Sequence, residues 1–349
     1  MKIVSTTLTG NNAAVIGDAI RSVVGWVDLC LVIDTGVTDR SLEIAREVAG
    51  EKYVERQLRW INDFGAARNF ALDAAHELGG DWAVTVDTDE RLEPRGEDLR
   101  AEAAAAAEGV LMVTHESGAY AKERLFRLPA KVRFSGPTHE SYAAYEVGVR
   151  TLEKARFIEV PKTPEAYRAK FERDVDILRR HTKAHPKDPR WFYYLGDSLQ
   201  NLRRHDEAVR AYRACAALRG WNEESAWACY RAAECLIAID RHAEAVEQCA
   251  AGLALHAGIA ELPWLAAFAS WKAGRPDQAV FWARLAIPMG WFMGRGRDAK
   301  RISFRNMSAL YEGPFDVLRF ALKALGDEAG AAEAERLHAE ATRARLAGG

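Results

Sequence analysis

Hydrophobic and polar positions follow two different patterns along the chain. Up to about residue 160, short apolar runs alternate with amphipathic stretches, whereas beyond Pro164 apolar residues recur every three or four positions. The first pattern is typical of alternating strands and helices, and the second of consecutive amphipathic helices. The sequence therefore predicts two domains, an α/β domain over residues 1–163 and an all-α domain over residues 164–349.

The runs of the first part place its elements and the sheet that they form. We expect strands over residues 2–8, 27–33, 52–57 and 82–86, and helices over residues 13–24, 39–49 and 63–77. Strands and helices in alternation predict a mostly parallel, Rossmann-like sheet with helices on both faces. Ligands of such sheets bind beyond the carboxyl ends of the strands, where Asp34, Asp87 and Asp89 follow apolar runs.

The second part repeats a helical unit about every 34 residues. A long helix over 164–185 should end at the PKDPR sequence, and helix pairs then follow at 191–202 with 206–218, 223–239 with 242–256, and 261–272 with 276–287. The unit resembles the tetratricopeptide repeat, so we expect a short α-solenoid. An aromatic stripe is expected mostly in the core between repeats: Trp191, Phe192, Tyr193, Tyr194, Trp227, Tyr230, Trp264 and Trp271.

Charge and cysteine content narrow the classes of partner and compartment. The net charge of -2 gives no basic field that would favour nucleic acid or an anionic membrane, and basic residues are dense only around 295–305. No apolar run is long enough to span a bilayer, and the N-terminus turns polar too early for a signal peptide. We expect a cytoplasmic protein with reduced cysteines that act as apolar fillers: Cys30, Cys215, Cys229, Cys235 and Cys249.

The sharpest chemical feature is the sequence VDTDER at 86–91, which follows an apolar run. Where the chain turns, Asp87 and Asp89 can converge on a hard divalent cation, which prefers oxygen ligands. Such a cation would neutralise a diphosphate leaving group. An Asp-x-Asp pair on its own is common in acidic surface turns, so its position after a buried strand is what favours the metal site.

Three ordered segments resemble the inverting family 2 glycosyltransferases of the GT-A fold. They are VIDTGVTDRSLEIA at 32–45, the run from 62 to 91 that ends in the acidic motif, and ERLFRLPAKVRFSGPTHES at 123–141. The repeat half is similar to a subgroup in which this catalytic domain is fused to tetratricopeptide repeats, including bacterial peptide glycosyltransferases. The resemblance implies a metal-dependent transfer of a hexose-type sugar from a nucleotide sugar, with UDP as the expected nucleotide.

The resemblance also implies roles for individual residues. It implies a Mn²⁺ or Mg²⁺ site at Asp87, Asp89 and His139, and catalytic roles for Asp89 and for Glu140 as the base, with Asp298 as a weaker candidate base. Helix capping explains Asp39 and Asp63 about as well as contact with a nucleotide does. The alternative for Arg68 is an ion pair at the surface. The alternative for His139 is an imidazole exposed to solvent in a loop. The implied nucleotide-binding residues are Thr6, Leu8, Asp34, Thr38, Asp39, Asp63, Arg68, Asp87 and Thr88.

Two positions depart from the family pattern near the nucleotide. Asn11 and Asn12 stand where the family usually has Asn and Glu, which removes a carboxylate. Gly36 and Val37 stand where it has glycine and serine, which removes a hydroxyl. These departures affect the expected nucleotide contacts and leave the acidic motif intact.

Several functions stay open at the level of sequence. A peptide or protein acceptor held by the repeats is the preferred hypothesis, because such arrays usually present a concave face to peptides. A saccharide or small-molecule acceptor is an alternative, as is a non-catalytic repeat scaffold with a degenerate nucleotide-binding domain. A nucleotidyltransferase is disfavoured because residues 6–12 contain one glycine and no basic residue. Self-association into a homo-oligomer stays open.

Overall fold

A computed structural model describes residues 1–94, 99–142, 147–298, 301 and 304–348 of the chain. Within this part the chain forms two compact units, Met1–Tyr167 and Arg168–Gly349. None of the helices in the described part combines the length and the apolarity required to cross a lipid bilayer.

The first unit contains a mixed sheet with the strand order β3-β2-β1-β4-β7-β6-β10-β5. Strands β3, β2, β1 and β4 run parallel, and β7 pairs antiparallel with both β4 and β6. The strands are β1 Ile3–Thr9, β2 Leu29–Asp34, β3 Tyr53–Gln57, β4 Trp82–Thr85, β5 Glu90–Pro94, β6 Val110–His115, β7 Ala121–Arg127 and β10 Val149–Glu159, with β8 Phe134–Ser135 paired separately to β9 Ser141–Tyr142.

Helices cover both faces of the parallel half, as the alternating pattern predicts. Successive side chains of a strand point to opposite faces, so Ile3 faces one apolar cluster and Val4 the other. Helices α1 and α2 pack in the first cluster and α3 in the second. The helices of this unit are α1 Ile16–Val24, α2 Ser41–Ala49, α3 Phe64–Glu77 and α4 Leu99–Ala105, with a short 3-10 turn at Gly50–Lys52.

The second unit is a stack of helix pairs, and it confirms the predicted repeats. It contains the three pairs expected from the sequence and a fourth pair nearer the C-terminus. Helix α5, Pro164–Ala184, precedes the stack, and the pairs are α6 Pro189–Asn201 with α7 His205–Leu218, α8 Asn222–Ala238 with α9 His242–Leu255, α10 Glu261–Lys272 with α11 Pro276–Ala286, and α13 Gly313–Ala324 with α14 Glu328–Gly348, while the short α12 is Met307–Leu310.

The same turn joins the two helices of every pair. Its left-handed residue is Arg203, Asp240, Gly274 and Gly326 in successive pairs, with φ of 57°, 57°, 70° and 81°. In each turn the next amide donates to a carbonyl five residues earlier, as in the bond of 2.9 Å from Arg204 to Leu199. This is the Schellman arrangement, in which a left-handed residue ends a helix. The four pairs are therefore copies of one structural unit, as in tetratricopeptide repeats.

Close contact between the helices of a pair depends on small residues. A Cβ atom built on Gly196 of α6 would lie 2.6 Å from Cδ1 of Tyr212 on α7. The aromatic stripe predicted from the sequence lies in or against the apolar clusters of this unit. All five cysteines are buried free thiols, in agreement with their predicted role as apolar fillers.

We predict that Gly196→Ala destabilises the second unit, because the added methyl group overlaps the buried ring of Tyr212. Overpacking of this kind costs about 1–3 kcal/mol. The matched control is Gly25→Ala, where a Cβ atom would meet nothing within 4 Å. Urea unfolding followed by circular dichroism checks both variants. Equal stability of Gly196→Ala and the wild type would contradict the packing described.

Candidate functional site

Several side chains join the loops that follow β1 and β2, and Asn11 makes three of these bonds. Oδ1 of Asn11 accepts bonds from the amides of Thr38 and Asp39 at 2.8 and 3.2 Å. Nδ2 of Asn11 donates to the hydroxyl of Thr38 at 2.9 Å. Asn11, which agrees with the family pattern, is thus occupied in holding the two loops together, and Thr38 is one of its partners.

Asp34 sits at the carboxyl end of β2 and shapes the loop that follows it. Its carboxylate is buried, and Oδ1 accepts bonds of 2.8 Å from the amides of Gly36 and Val37. Gly36 has a φ of 112°, which residues with a side chain rarely adopt. On the adjacent strand Thr6 is buried, with its hydroxyl 3.5 Å from that of Thr85 on β4. Asp34 therefore has a structural role in the loop through one of its oxygens.

Asp39 and Asp63 both bind the backbone at the start of a helix, Asp63 as the N-cap of α3 and Asp39 from the position before Arg40, the N-cap of α2. Oδ1 of Asp39 accepts from the amide of Ser41 at 2.9 Å, where α2 begins. Oδ1 of Asp63 accepts from the amide of Ala66 at 2.8 Å, where α3 begins. The capping explanation thus accounts for both residues, and their contact with a nucleotide stays a prediction. Leu8 is half-buried against the apolar cluster beneath α3.

Helix α3 is fixed against the loop that carries His139 and Glu140. Asn69 exchanges two hydrogen bonds of 2.9 Å with the backbone of Phe134. The amide of Gly65 donates to the carbonyl of Gly136 at 3.1 Å, and a Cβ atom at residue 65 would lie 2.8 Å from that oxygen. This contact holds Arg68 of α3 beside Glu140.

Arg68 joins two of the sequence motifs. Its Nη2 lies 3.0 Å from Oδ1 and 3.2 Å from Oδ2 of Asp87, and its Nε donates to Glu140. The side chains of Arg68 and Glu140 are each 14% exposed. Arg68 does form ion pairs, but its side chain is mostly buried, so the alternative of an ion pair at the surface is wrong. Arg68 is a mostly buried cation at the carboxyl edge of the sheet.

These pairs belong to a longer row of charges, which we call the ionic chain. Nη2 of Arg124 lies 3.5 Å from Oδ2 of Asp87 and also donates to Glu90. Nζ of Lys122 lies 3.1 Å from Oε1 of Glu90. The ionic chain runs, with opposite charges adjacent, through Glu140, Arg68, Asp87, Arg124, Glu90, Lys122 and Glu159.

Charge pairing keeps Asp87 and the two arginines of the ionic chain ionised. Burial alone would raise the pKa of Asp87, but Arg68 and Arg124 outweigh it and hold the pKa at about 2. Burial alone would lower the pKa values of Arg68 and Arg124, but their carboxylate partners outweigh it and raise both. The site therefore carries fixed charges of both signs.

Asp89 pairs with a basic group outside the ionic chain. The carboxylate of Asp89 is 35% exposed and pairs with Lys162, and its carbonyl accepts from the amide of Val160 at 2.8 Å. The carbonyl of Thr88 accepts from Arg91 at 3.0 Å. His139 has a left-handed backbone, with φ of 49°. The side chain of the other candidate base, Asp298, lies outside the described residues.

The expected three-residue metal site does not form as a cluster of protein ligands. Over the described ranges, no three His, Cys, Asp or Glu side chains lie close enough to hold one metal ion. The physical reason is that basic groups neutralise the two aspartates separately, Arg68 and Arg124 at Asp87 and Lys162 at Asp89. A cation at this edge would need oxygen ligands from another molecule in addition to these carboxylates.

Comparison with known proteins identifies the first unit. The family model described as glycosyl transferase family 2 matches residues 7–149, which include the acidic motif, Arg68 and the loop of Glu140. The first unit is a family 2 glycosyltransferase domain. Its curled sheet, parallel around β1 and mixed beyond β4, is the GT-A-like fold expected from the sequence.

Known proteins are similar to parts of the chain. The chain is 37% identical to a TPR repeat-containing protein of Synechococcus elongatus over 139 residues. This match covers 37% of this chain and 32% of the relative. It is 22% identical over 196 residues to the SPbeta prophage-derived glycosyltransferase SunS of Bacillus subtilis, 51% of this chain and 44% of SunS. Each match thus spans less than half of the relative. MamA of Desulfovibrio magneticus RS-1 superposes on 52% of this chain, and on 95% of its own, with a TM-score of 0.38 and 18% identity.

Four members of the ionic chain escape prediction from the sequence: Glu90, Lys122, Arg124 and Glu159. A signal for two of them is present, because Lys122 and Arg124 share one face of a strand with the buried, apolar Phe126. A charge on a buried strand face requires a partner of opposite sign. The identity of that partner depends on which strands are neighbours, and the local sequence does not contain that information.

We predict that acid weakens the family 2 domain through Asp87. The folded pKa of about 2 lies below the ordinary 3.8, so this stabilisation is complete above the ordinary value and is lost as the pH falls through the folded pKa. Its size is on the order of 2 kcal/mol. The difference in unfolding free energy between wild type and Asp87→Asn, measured by urea unfolding, should therefore shrink by this amount between about pH 5 and pH 2.

The exposed carboxylate of Asp73 on α3, paired with Arg133, provides the control. Asp73→Asn should change the stability by less than about 1 kcal/mol at any of these pH values, because exposed ion pairs contribute little. A constant difference between wild type and Asp87→Asn across the whole range would contradict the pairing of Asp87 with the two arginines.

Proposed function

We propose that this protein transfers a sugar from a nucleotide-sugar donor to an acceptor, with inversion at the anomeric carbon. The observation that carries the proposal is the contact of Arg68 with both Asp87 and Glu140 at the carboxyl ends of the parallel strands of a family 2 domain. This contact assembles a fixed cation, a fixed anion and a candidate base from two of the three family segments, 62–91 and 123–141.

The donor would lie across the ends of β1, β2 and β4. The loops joined by Asn11, with Asp34 at their base, would hold the nucleoside, for which uridine is the expected base by family resemblance. A guanidinium matches the geometry of phosphate oxygens, so Arg68 would contact the diphosphate. Arg68 is held by its two carboxylate partners, and this preorganisation lowers the cost of binding.

A divalent cation, Mn²⁺ or Mg²⁺, fits the residues at this edge. Mg²⁺ in such sites is usually bound by one or two carboxylates together with the phosphates of the substrate. Asp89 is a carboxylate at the surface, held by the single amine of Lys162, and Asp87 remains ionised. Asp89, with Asp87 beside it, would hold the cation, and His139 is a further candidate ligand. When bound, the cation supplies charge neutralisation for the diphosphate leaving group.

Glu140 is the proposed base. In the reaction an acceptor hydroxyl or other nucleophile attacks the anomeric carbon, the bond from sugar to phosphate breaks, and the nucleoside diphosphate leaves with the electron pair. The proton of the acceptor goes to a carboxylate. Glu140 accepts a bond from Arg68, and this contact orients its carboxylate at the edge of the site. The same arginine thus connects the base to the site of the leaving group.

A peptide or protein is the proposed acceptor. The support for it is the tetratricopeptide-like stack of the second unit, a type of structure that commonly binds polypeptides. A saccharide or small-molecule acceptor is the alternative within the same enzyme class. The donor half of the proposal does not depend on this choice.

We predict that UDP with Mn²⁺ raises the melting temperature of the wild type and not that of Asp89→Ala. At 100 times its dissociation constant, a ligand stabilises the folded state by roughly 2.7 kcal/mol. Thermal melts with UDP, GDP, ADP and CDP, each with and without Mn²⁺, would identify the nucleotide. Asp73→Ala is the matched control and should respond as the wild type does, because its exposed carboxylate lies away from the strand ends. Absence of a shift with every nucleotide would overturn the proposed donor site.

A further inference from the structure

The first helices of the repeats line one face of the stack. Helix α6 contacts α8, α8 contacts α10, and α10 contacts α13, whereas the second helices of neighbouring pairs pack less closely on one another. A stack of pairs curves towards the helices that lie nearest each other. The first helices therefore form the inner face of the second unit, the face that solenoids use for binding.

Part of the chain itself lies on this inner face. The connections between earlier pairs, 219–221 and 256–260, are short, but residues 287–312 separate α11 from α13. Such an insertion is not needed to join two repeats, since shorter connections do so elsewhere in the same stack. We call residues 301 and 304–306 the inner segment.

An aromatic side chain anchors the inner segment on helices α6 and α8. The ring of Phe304 is stacked on that of Trp227, with centroids 5.6 Å apart and planes at 17°. The rings of Tyr193 and Trp221 lie 5.6 and 5.7 Å away. Phe304 has a left-handed backbone with φ of 55°, which is unfavourable for a residue of this size. The contacts of its ring outweigh this strain.

A buried cation anchors the same segment between α8 and α10. Nη1 of Arg301 lies 2.8 Å from Oε2 of Glu261, and its Nε lies 4.0 Å from Oε1 of Glu223. The side chain of Arg301 is 2% exposed, and both glutamates are buried. Two carboxylates buried on adjacent repeats require a cation close to them. The inner segment supplies Arg301 to both glutamates and also Arg305, whose Nη1 lies 3.8 Å from Oε1 of Glu223.

Further bonds between Asn306 and the inner face resemble those of a bound peptide. Nδ2 of Asn306 donates to the hydroxyl of Tyr230 at 3.0 Å. The backbone amide of Asn306 donates to Oε1 of Glu261 at 3.1 Å. The backbone of the segment is thus held by side chains of the repeats. Recognition of a peptide by a helical groove uses the same combination of apolar, charged and polar anchors.

We infer that the inner face is a recognition groove for polypeptides that carry an arginine and an aromatic residue three positions later, and that the inner segment occupies this groove as an internal ligand. Arg301 and Phe304 show which chemistry the groove accepts: a guanidinium between two buried carboxylates and a ring among three aromatic rings. A partner with the same two anchors binds by displacing the inner segment. The inference concerns the second unit alone and does not rest on sugar transfer.

The test is a titration of the full chain with a synthetic peptide that copies residues 299–308, AKRISFRNMS. In the double variant Arg301→Ala/Phe304→Ala the inner segment has lost both anchors. The peptide should therefore bind to this variant at least about tenfold more tightly than it binds to the wild type, in which the tethered segment competes for the groove. A peptide with both anchors changed to alanine should bind neither protein. Calorimetry without nucleotide or metal keeps the result separate from the proposed donor site.

Met293→Ala is the matched control, because Met293 is an exposed residue of the same insertion and its loss should leave binding as in the wild type. If circular dichroism shows that the double variant is not folded, Phe304→Ala, which keeps the buried Arg301–Glu261 pair, replaces it with the same expected gain. Failure of the peptide to bind the folded variant overturns the inference. Equal binding of the peptide and of its alanine version overturns it as well.

Discussion

A guanidinium can be buried only where carboxylates neutralise it, and the first unit is organised around this constraint. Arg124 is 7% exposed and touches Asp87 and Glu90, while Arg68 touches Asp87 and Glu140. Each charge in this row is stable because of its neighbours, since an unpaired ion in the same place would be costly. The ionic chain thereby fixes α3, the turn after β4, and strands β5, β7 and β10 relative to one another.

The position of the ionic chain explains where the candidate site lies. Strand β4 pairs with the parallel strand β1 on one side and with the antiparallel strand β7 on the other. Asp87 follows β4 at this junction, so it receives Arg68 from the helix on one face and Arg124 from β7. The parallel half supplies the loops that Asn11 joins, and the mixed half supplies the charges that hold the acidic motif.

Features of short range were predictable from the sequence, and contacts of long range were not. Apolar runs located β1 to β4, Asp63 marked the start of α3, and the repeat period gave three helix pairs, because each depends on nearby residues alone. The strands after residue 90 were not predicted, since β5, β6, β7 and β10 are recognisable only as neighbours in the sheet. The role of Asn11 as a link between loops was missed for the same reason.

The two units differ in what the sequence leaves unpredicted about their candidate functional residues. In the family 2 domain the motif residues were identified, but the structure pairs Asp87 and Asp89 with different basic groups instead of collecting them with His139. In the second unit the sequence assigns no structural role to the basic residues around 295–305. Only the fold shows that Arg301 from that run lies between two buried glutamates.

Release of nucleoside diphosphate from a nucleotide sugar without any acceptor tests the central claim, that the ionic chain holds a working donor site. With UDP-sugars and Mn²⁺, the wild type should release UDP slowly, because water can replace the acceptor. Asp89→Ala and Arg68→Met should be slower by roughly a hundredfold, the usual effect of removing a charge that stabilises a transition state, whereas Asp73→Ala should match the wild type. Release that is unaffected by these two substitutions, or no release from any nucleotide sugar by the wild type, would contradict the account.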